Sequence, residues 1–394
     1  MGLNDTPRGE RVHIGIFGKR NAGKSSLINA LTNQKTAIVS DVKGTTTDPV
    51  YKAMEILPLG PVVIIDTPGT DDVGELGSMR VKAAKKVLEK TDIALVAADE
   101  GRLTAEDSDI ISEIKKRDIP YIIVYTKSDI CKNAELPQGE NAIAVSAETG
   151  ENIGKLRELI ASVFGGNTDD KRIVGDLISK GDVILLVIPI DSSAPKGRLI
   201  LPQQQVIRDI LESGAFPVVT RDTELADCFD KLKAPPALVI TDSQAFKKVA
   251  ETVPEDIMLT SFSILMARYK GILKQTAQGA AAVEKLKDGD TVLISEGCTH
   301  HRQCEDIGTV KIPKWLEKYT GKTLNYKFTS GREFPDDLTG IDLVVHCGGC
   351  MLNEREVCSR MRIAEEQNIP VTNYGILIAY MNGILKRSLL IVNS

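Results

Sequence analysis

The chain has 394 residues, more than one hydrophobic core usually organises, so we expect two or three domains. A net charge of −5 and an aromatic content of 4% argue against a protein that mainly binds nucleic-acid phosphates or stacks on bases, so nucleic acid is an unlikely partner. No apolar run approaches the roughly 20 residues that span a bilayer, and residues 1–10 lack a secretory core. We therefore expect a cytoplasmic protein with no membrane partner.

The first segment alternates apolar strands with amphipathic patterns, which is typical of right-handed βαβ units in a mostly parallel, doubly wound sheet. Its predicted strands and last helix are Val12–Phe17, Val62–Ile65, Ile93–Ala97, Tyr121–Tyr125, Ala142–Val145 and Ile153–Val163. A stretch rich in Gly, Asn and Asp, Gly165–Asp170, then predicts a domain boundary. The first α/β domain is expected over residues 8–166.

Two further α/β units are predicted, over residues 171–260 and 261–394. The middle unit carries no chemical motif, so a structural or dimerisation module is favoured and a homodimer is expected. Its predicted strands and helices are Val183–Ile190, Pro217–Thr220, Ala237–Thr241, Gln203–Glu212 and Thr223–Leu232. The last unit opens with a long helical stretch and includes strands Thr291–Ser295, Leu343–His346 and Pro370–Thr372.

A phosphate-binding loop lies directly after the first predicted strand and directly before a helical pattern. The run Gly18–Ser25 fits G-x-x-x-x-G-K-[ST], in which backbone N–H groups and a helix N-terminus surround phosphates. We expect Lys24 to reach the β and γ phosphates and the Ser25 hydroxyl to hold Mg²⁺. Further nucleotide contacts are expected from Gly18, Asn21, Ala22, Gly23 and Ser26.

Later motifs favour GTP over ATP. In Asp66-Thr67-Pro68-Gly69 the carboxylate is placed near Mg²⁺ and the Gly69 N–H near the γ-phosphate. The run Thr126-Lys127-Ser128-Asp129 resembles N-K-x-D, and Asp129 can accept hydrogen bonds from guanine N1–H and the exocyclic amine. Because Thr126 replaces the usual asparagine, we expect less support for the neighbouring loops and weaker affinity.

Two shorter patterns complete the nucleotide site. Ser146-Ala147 follows a strand and is expected to meet the guanine carbonyl through a backbone amide. Gly44–Asp48 resembles the switch I of the Era and TrmE group of GTPases, in which Thr46, or else Thr45, would close on Mg²⁺. Thr70 stands where many GTPases carry glutamine, so unaided hydrolysis should be slow. In the group that this sequence resembles, the Asn21 position helps bind K⁺, so we hypothesise K⁺-stimulated activity.

The seven cysteines, without an export signal, indicate metal or redox chemistry more than disulfides. Cys298-Thr299-His300 and His346-Cys347-Gly348-Gly349-Cys350 each follow a predicted strand, at the end of a sheet where open α/β folds bind ligands. Four thiols, with Cys304 as the fourth, could close a structural zinc site, whereas three would suit an iron–sulfur cluster with one open iron. Spacing alone leaves these two nearly even, and a dithiol redox pair of Cys347 and Cys350 is a third possibility.

Cys298-x-His300, followed at long distance by His346-Cys347-x-x-Cys350 behind an Era-like GTPase domain, resembles HydF, the family of maturation GTPases of iron-iron hydrogenases. The resemblance covers essentially the whole chain and implies GTPase, dimerisation and iron–sulfur cluster-binding domains. It implies a 4Fe-4S cluster held by Cys298, Cys347 and Cys350, with His300 and His346 beside it or in contact with a precursor.

The same resemblance implies a scaffold that receives a di-iron precursor and delivers it to apo-hydrogenase, with other maturation proteins as partners. The fourth ligand of the cluster is open, with His300 as one candidate and Asp191 as a weaker one. The principal rival is an Era-like GTPase that acts on RNA or the ribosome and carries a structural zinc domain. Acidic charge and the lack of a basic, aromatic-rich tail count against that rival.

Overall fold

The computed structural model describes residues 6–32, 49–69, 75–99, 101–131, 141–165, 171–190, 199–297, 307–331 and 333–393. The chain divides into two units, Met1–Asp169 and Asp170–Ser394. Among the described residues, no helix is both long enough and apolar enough to cross a membrane.

The first unit contains a six-stranded sheet of order β2-β3-β1-β4-β5-β6, parallel except for the edge strand β2. Its strands are β1 (Val12–Phe17), β2 (Val50–Ile56), β3 (Gly60–Asp66), β4 (Ile93–Ala98), β5 (Tyr121–Tyr125) and β6 (Ala142–Ala144). Its helices are α1 (Lys24–Thr32), α2 (Glu75–Leu88), α3 (Ala105–Lys116) and α4 (Ile153–Gly165).

Helices cover both faces of this sheet, which explains why its central strands are apolar throughout. Ile14 and Ile64 belong to the core on one face, together with Leu27 of α1. Phe17 and Ile65 belong to the core on the other face. Burial on both faces is the normal reason for continuous apolar runs in parallel strands, and this α/β, mostly parallel architecture confirms the predicted fold class.

The second unit contains two four-stranded sheets, both entirely parallel, of order β10-β9-β7-β8 and β12-β11-β13-β14. The strands are β7 (Val183–Val187), β8 (Phe216–Thr220), β9 (Leu238–Thr241), β10 (Met258–Ser261), β11 (Thr291–Ser295), β12 (Asn325–Thr329), β13 (Leu343–His346) and β14 (Val371–Asn373). The helices are α5 (Leu201–Glu212), α6 (Leu225–Lys231), α7 (Phe246–Thr252), α8 (Phe262–Tyr269), α9 (Leu273–Ala280), α10 (Ile312–Thr320), α11 (Glu354–Glu366), α12 (Tyr374–Met381), α13 (Leu385–Ser388) and α14 (Leu390–Asn393).

One apolar cluster takes side chains from both of these sheets. It contains Leu185 and Val239 of the first sheet together with Leu293 and Val344 of the second. The predicted change of domain at residue 260 falls within strand β10 of this unit. The bounds of the three predicted domains stay predictions.

The structure reproduces the predicted strands and helices with small shifts at their ends. Three strands were missed: β2, β10 and β12. Both β2 and β12 are edge strands with mainly exposed or half-buried side chains, so they lack the continuous apolar run that marks a central strand. The predicted strand from Val183 ends at Val187, three residues early, because Pro189 cannot donate to a sheet ladder.

Candidate functional site

The loop between β1 and α1 has the backbone form that a phosphate-binding loop requires. Gly18, Asn21 and Gly23 have φ angles of 139°, 61° and 78°, in the region that glycine and asparagine tolerate best. A Cβ atom on Gly18 would lie 2.4 Å from the Ala97 carbonyl oxygen, so only glycine fits there. The loop leads directly into α1 at Lys24, which places a helix N-terminus at the end of the loop.

Lys24 is buried against this loop. Its Nζ donates to the carbonyl oxygens of Gly18 at 2.8 Å and Lys19 at 2.7 Å. Of the other predicted contacts, Ala22 is buried, while Asn21 and Ser26 are exposed. The ammonium is thus fixed by the same backbone that would surround the phosphates.

Ser25 and Asp66 lie together and offer oxygen atoms that suit Mg²⁺ as ligands. The Ser25 hydroxyl donates to Oδ2 of Asp66 at 3.2 Å, and Oδ1 of Asp66 is buried with no hydrogen-bond partner among the described residues. Burial raises the pKa of Asp66, and the nearby Lys24 ammonium opposes that rise. A buried carboxylate oxygen without a partner fits a hard cation, which prefers oxygen ligands. Thr45 and Thr46, the predicted switch residues, lie outside the described residues.

Gly69 brings the end of β3 against the phosphate-binding loop. A Cβ atom on Gly69 would lie 2.7 Å from the backbone nitrogen of Arg20, so a side chain would push the two segments apart. Thr67 anchors the turn, because its hydroxyl donates to the Ile16 carbonyl at 2.6 Å. The glycine predicted to face the γ-phosphate therefore lies beside the loop predicted to bind it.

Thr126 contacts the phosphate-binding loop directly, and the weaker affinity expected from the missing asparagine stays a prediction. Its hydroxyl lies 2.9 Å from the Ala22 carbonyl and 3.2 Å from the Ala98 carbonyl, and it can donate to one of them at a time. This connects the guanine-recognition turn to the phosphate-binding loop and to the end of β4. The threonine hydroxyl therefore provides part of the support between these loops.

The remaining guanine-site residues lie at the ends of β5 and β6. Lys127 has a φ of 60° and pairs with Asp99 at 3.0 Å, while the predicted guanine acceptor Asp129 is exposed. Ser146 is fully buried and its hydroxyl accepts a hydrogen bond from the backbone N–H of Thr149 at 3.1 Å. Its neighbour Ala147 is half-buried. These contacts stiffen both turns.

We expect Thr126→Val to weaken GDP binding about fivefold, because a net hydrogen bond contributes about 1 kcal/mol and the Ala22 carbonyl would lose its donor. Titration with a fluorescent GDP analogue measures the change. Thr126→Asn should bind within about twofold of the parent protein. Equal affinity in the valine variant would show that the hydroxyl does not support the loop.

The second candidate site lies where β11 and β13 end side by side. Cys347 directly follows β13, and its Sγ accepts hydrogen bonds from the backbone N–H groups of Gly297 at 3.0 Å and Gly349 at 3.3 Å. Burial raises the pKa of the Cys347 thiol, and these two hydrogen bonds oppose the rise. Burial also raises the pKa of the Cys350 thiol, with the Lys270 charge acting against it. The protein therefore provides donors that would stabilise sulfur as an anion.

Lys270, just after α8, supports the loop that carries both thiols. It is 5% exposed, and its ammonium donates to the carbonyls of Gly349 and, at 2.6 Å, Leu352. Burial lowers the pKa of Lys270, while Cys350 and Cys347 act in the opposite direction. A buried cation is thus placed beside two thiols, which suits an anionic, thiolate-bound group.

His346 is part of the support of this loop and not a free ligand. Its Nδ1 donates to the Cys347 carbonyl at 2.6 Å and its Nε2 accepts from Arg360 at 3.2 Å. Burial, followed by the Arg360 charge, lowers the pKa of His346 to about 3, so the ring is neutral. Both ring nitrogens have protein partners, and the predicted place of His346 beside the cluster or a precursor stays a prediction.

Three predicted residues of the cysteine site, Cys298, His300 and Asp191, lie outside the described residues. Within the described part of the chain, no three His, Cys, Asp or Glu side chains come together as a metal site. Gly297, the sequence neighbour of Cys298, donates to the Cys347 sulfur. Sequence reasoning missed Lys270 and Arg360, because neither belongs to a motif and their burial is visible only in the fold.

Comparison with known proteins gives three family matches along the chain. Residues 13–127 match a family described as 50S ribosome-binding GTPase. Residues 173–271 match the hydrogen maturase F dimerization domain, and residues 274–391 match the hydrogen maturase F tetramerization domain. The chain therefore carries a GTPase domain, which indicates binding of GTP and Mg²⁺, and two domains that indicate oligomerisation.

Two curated relatives are each similar to about two fifths of this chain. The tRNA modification GTPase MnmE of Aquifex aeolicus is 36% identical over 165 residues, which are 41% of this chain and 36% of that protein. GTPase Der of Wolinella succinogenes is 34% identical over 186 residues, which are 43% of this chain and 39% of that protein. The chain thus spans less than half the length of these curated relatives.

A solved structure, the G domain of the T. maritima FeoB iron transporter, is 23% identical and covers 39% of this chain and 99% of its own, with a TM-score of 0.31. That score is too low to support a conclusion. The two hydrogen maturase models are more informative, because together they match more than half of the chain. With a GTPase domain in front of both, the chain belongs to the hydrogen maturase F (HydF) family.

Proposed function

We propose that this chain hydrolyses GTP and uses the nucleotide state to control a scaffold that carries a 4Fe-4S cluster. In this proposal the scaffold receives a di-iron precursor and delivers it to apo-hydrogenase, with other maturation proteins as partners. The observation that carries the proposal is the surroundings of Cys347 and Cys350. Two backbone N–H groups donate to the Cys347 sulfur, and the buried Lys270, bonded to the carbonyls of the loop, interacts electrostatically with both thiols. Membership of the hydrogen maturase F family supports the same assignment.

In the nucleotide site, the chain acts mainly by positioning. Lys24 would move its ammonium from loop carbonyls to the β and γ phosphates, and Gly69 would offer its N–H to the γ-phosphate. Ser25 and Asp66 would hold Mg²⁺, which neutralises phosphate charge when bound. The predicted switch segments, residues 43–50 and 69–77, would then change with nucleotide state and bias contacts with partners.

In the cysteine site, Cys347 and Cys350 would hold the cluster together with Cys298. A cluster bound by three thiolates keeps one iron open, which is the position where a precursor would attach. Gly297, the residue before Cys298 in the sequence, donates its N–H to the Cys347 sulfur at 3.0 Å, which supports this choice of ligands. A Cβ atom on Gly297 would lie 2.8 Å from Leu352, so glycine is needed for this close approach.

Anaerobic metal analysis tests the cluster. The parent protein should contain about four irons and four sulfides per chain and give a reduced-state electron paramagnetic resonance signal. Cys347→Ser and Cys350→Ser should lose iron, sulfide and signal, because serine oxygen is a poor ligand for this cluster. Cys131→Ser, in the first unit, is the matched control and should keep them. A colourless parent protein with one zinc per chain would contradict the proposal and favour the rival structural zinc domain.

Potassium dependence tests the catalytic part of the proposal. Asn21 lies exposed on the phosphate-binding loop, with its backbone in the left-handed region. We expect GTP turnover to be at least about tenfold faster in K⁺ than in Na⁺, since a cation here would replace an arginine finger. Asn21→Ala should abolish the difference. Equal turnover of the parent protein in the two salts would exclude this role.

A further inference from the structure

Lys52 lies on the edge strand β2, close to the magnesium site but outside every nucleotide motif. In the antiparallel pairing of β2 with β3, Lys52 is opposite Ile64 and Val50 is opposite Asp66. Opposite residues project to the same face of a sheet, and alternate residues of one strand share a face. Lys52, Ile64 and Asp66 therefore share one face, and Ile64 packs there with Leu27 of α1.

The Lys52 ammonium is buried and has no hydrogen-bond partner among the described residues. On the same face, Oδ1 of Asp66 is also buried without such a partner. The Lys52 charge acts on Asp66, because it is among the groups that oppose the burial-driven rise in the pKa of that carboxyl. Burying a charge without a direct partner is costly, so a lysine on this face of β2 needs an explanation other than packing.

We propose that Lys52 is a positioning residue that balances the charge of Asp66 when Mg²⁺ leaves, and thereby weakens Mg²⁺ binding and speeds release of the metal with GDP. The Lys52 ammonium and Mg²⁺ are both attracted to the Asp66 carboxylate. Because both are positive and the site is partly buried, they repel each other. Since no direct ion pair joins Lys52 to Asp66, Mg²⁺ can enter without breaking one.

The direction in which Mg²⁺ affinity changes when Lys52 is replaced distinguishes this role from other roles of a lysine near phosphates. A lysine that contacted the nucleotide would strengthen binding, so its loss would weaken GDP affinity whether or not Mg²⁺ was present. A lysine that only packed would leave the Mg²⁺ dependence unchanged. If the Lys52 charge repels the metal, removing that charge should increase the affinity for Mg²⁺, and neither of the other two roles predicts this.

The test is the Mg²⁺ dependence of GDP release, measured by stopped flow with a fluorescent GDP analogue at a series of free Mg²⁺ concentrations. In Lys52→Met, the free Mg²⁺ concentration that halves the rate of GDP release should fall about five- to tenfold. The rate of GDP release in excess EDTA should stay unchanged. Lys52→Arg should behave like the parent protein, because it keeps the charge. Lys155→Met, an exposed lysine on α4, is the matched control and should also behave like the parent.

An unchanged or increased half-suppressing concentration in a folded Lys52→Met protein would overturn the proposal. If that variant is unfolded by circular dichroism, Lys52→Gln takes its place with the same expectation. A second readout is thermal unfolding without metal or nucleotide, where Lys52→Met should lower Tm in the parent background but not beside Asp66→Asn. Equal Tm changes in both backgrounds would also overturn the proposal.

Discussion

Replacing Lys24 with methionine is expected to lower kcat for GTP hydrolysis about 100- to 1,000-fold, the usual cost of removing one preorganised donor to transition-state charge. The methionine side chain has a similar volume but carries no charge. The carbonyls of Gly18 and Lys19, which Lys24 now contacts, can still be hydrated or accept other donors, so the loop should keep its shape. The expected loss is therefore specific to the chemistry.

Phosphate release under saturating GTP measures this loss, and titration with a fluorescent GDP analogue separates it from binding. Lys155→Met removes an exposed lysine from α4 in the same unit and should keep kcat within about twofold. A Lys24→Met protein with kcat within tenfold of the parent would show that the loop does not direct this ammonium to the phosphates.

Replacing Arg360 with methionine is expected to lower the free energy of unfolding of the second unit by about 3–5 kcal/mol, the usual effect of removing one partner from a buried charge network. Arg360 is 3% exposed on α11. Its guanidinium donates to the Gly331 carbonyl at 2.8 Å, His346 at 3.2 Å and Glu356 at 3.3 Å. Methionine would leave Glu356 buried without this counter-charge.

Urea unfolding measures the change, and the single tryptophan, Trp315 on α10, reports on the second unit. Arg362→Met on the exposed side of the same helix is the matched control and should change stability by less than about 0.5 kcal/mol. The double variant Arg360→Met/Glu356→Leu should recover part of the loss, since no uncompensated carboxylate remains. A midpoint for Arg360→Met equal to that of Arg362→Met would contradict the buried-network argument.

The central strands and the nucleotide motifs were predictable because their signals are local. Val12–Phe17 is apolar except for His13, Tyr121–Tyr125 is apolar throughout, and the structure gives both strands the predicted bounds. The phosphate-binding loop between such a strand and a helix could be recognised from the spacing of its Gly, Lys and Ser residues. The edge strand β12 was not predictable, because its sequence Asn-Tyr-Lys-Phe-Thr mixes polar and aromatic residues on a mainly exposed strand.

The surroundings of the sites were not predictable, because they depend on residues far apart in the chain. Lys270 reaches the Gly349 carbonyl across 79 positions, and Thr126 reaches Ala22 across 104. No local pattern encodes such a contact. Position 126 illustrates the difficulty: the motif indicates only that asparagine is replaced, whereas the fold shows which carbonyls the threonine hydroxyl reaches.

Both sheets of the second unit contribute to one apolar cluster, so this part of the chain cannot be divided between the sheets without exposing its core. A fragment ending at strand β10 would uncover Val187 and Leu259, and the complementary fragment would uncover Leu293. Either fragment would therefore expose apolar surface and be prone to aggregate. Recombination between genes should consequently pass these two sheets on together, whereas the guanine-nucleotide unit, with its own cores, is free to be exchanged.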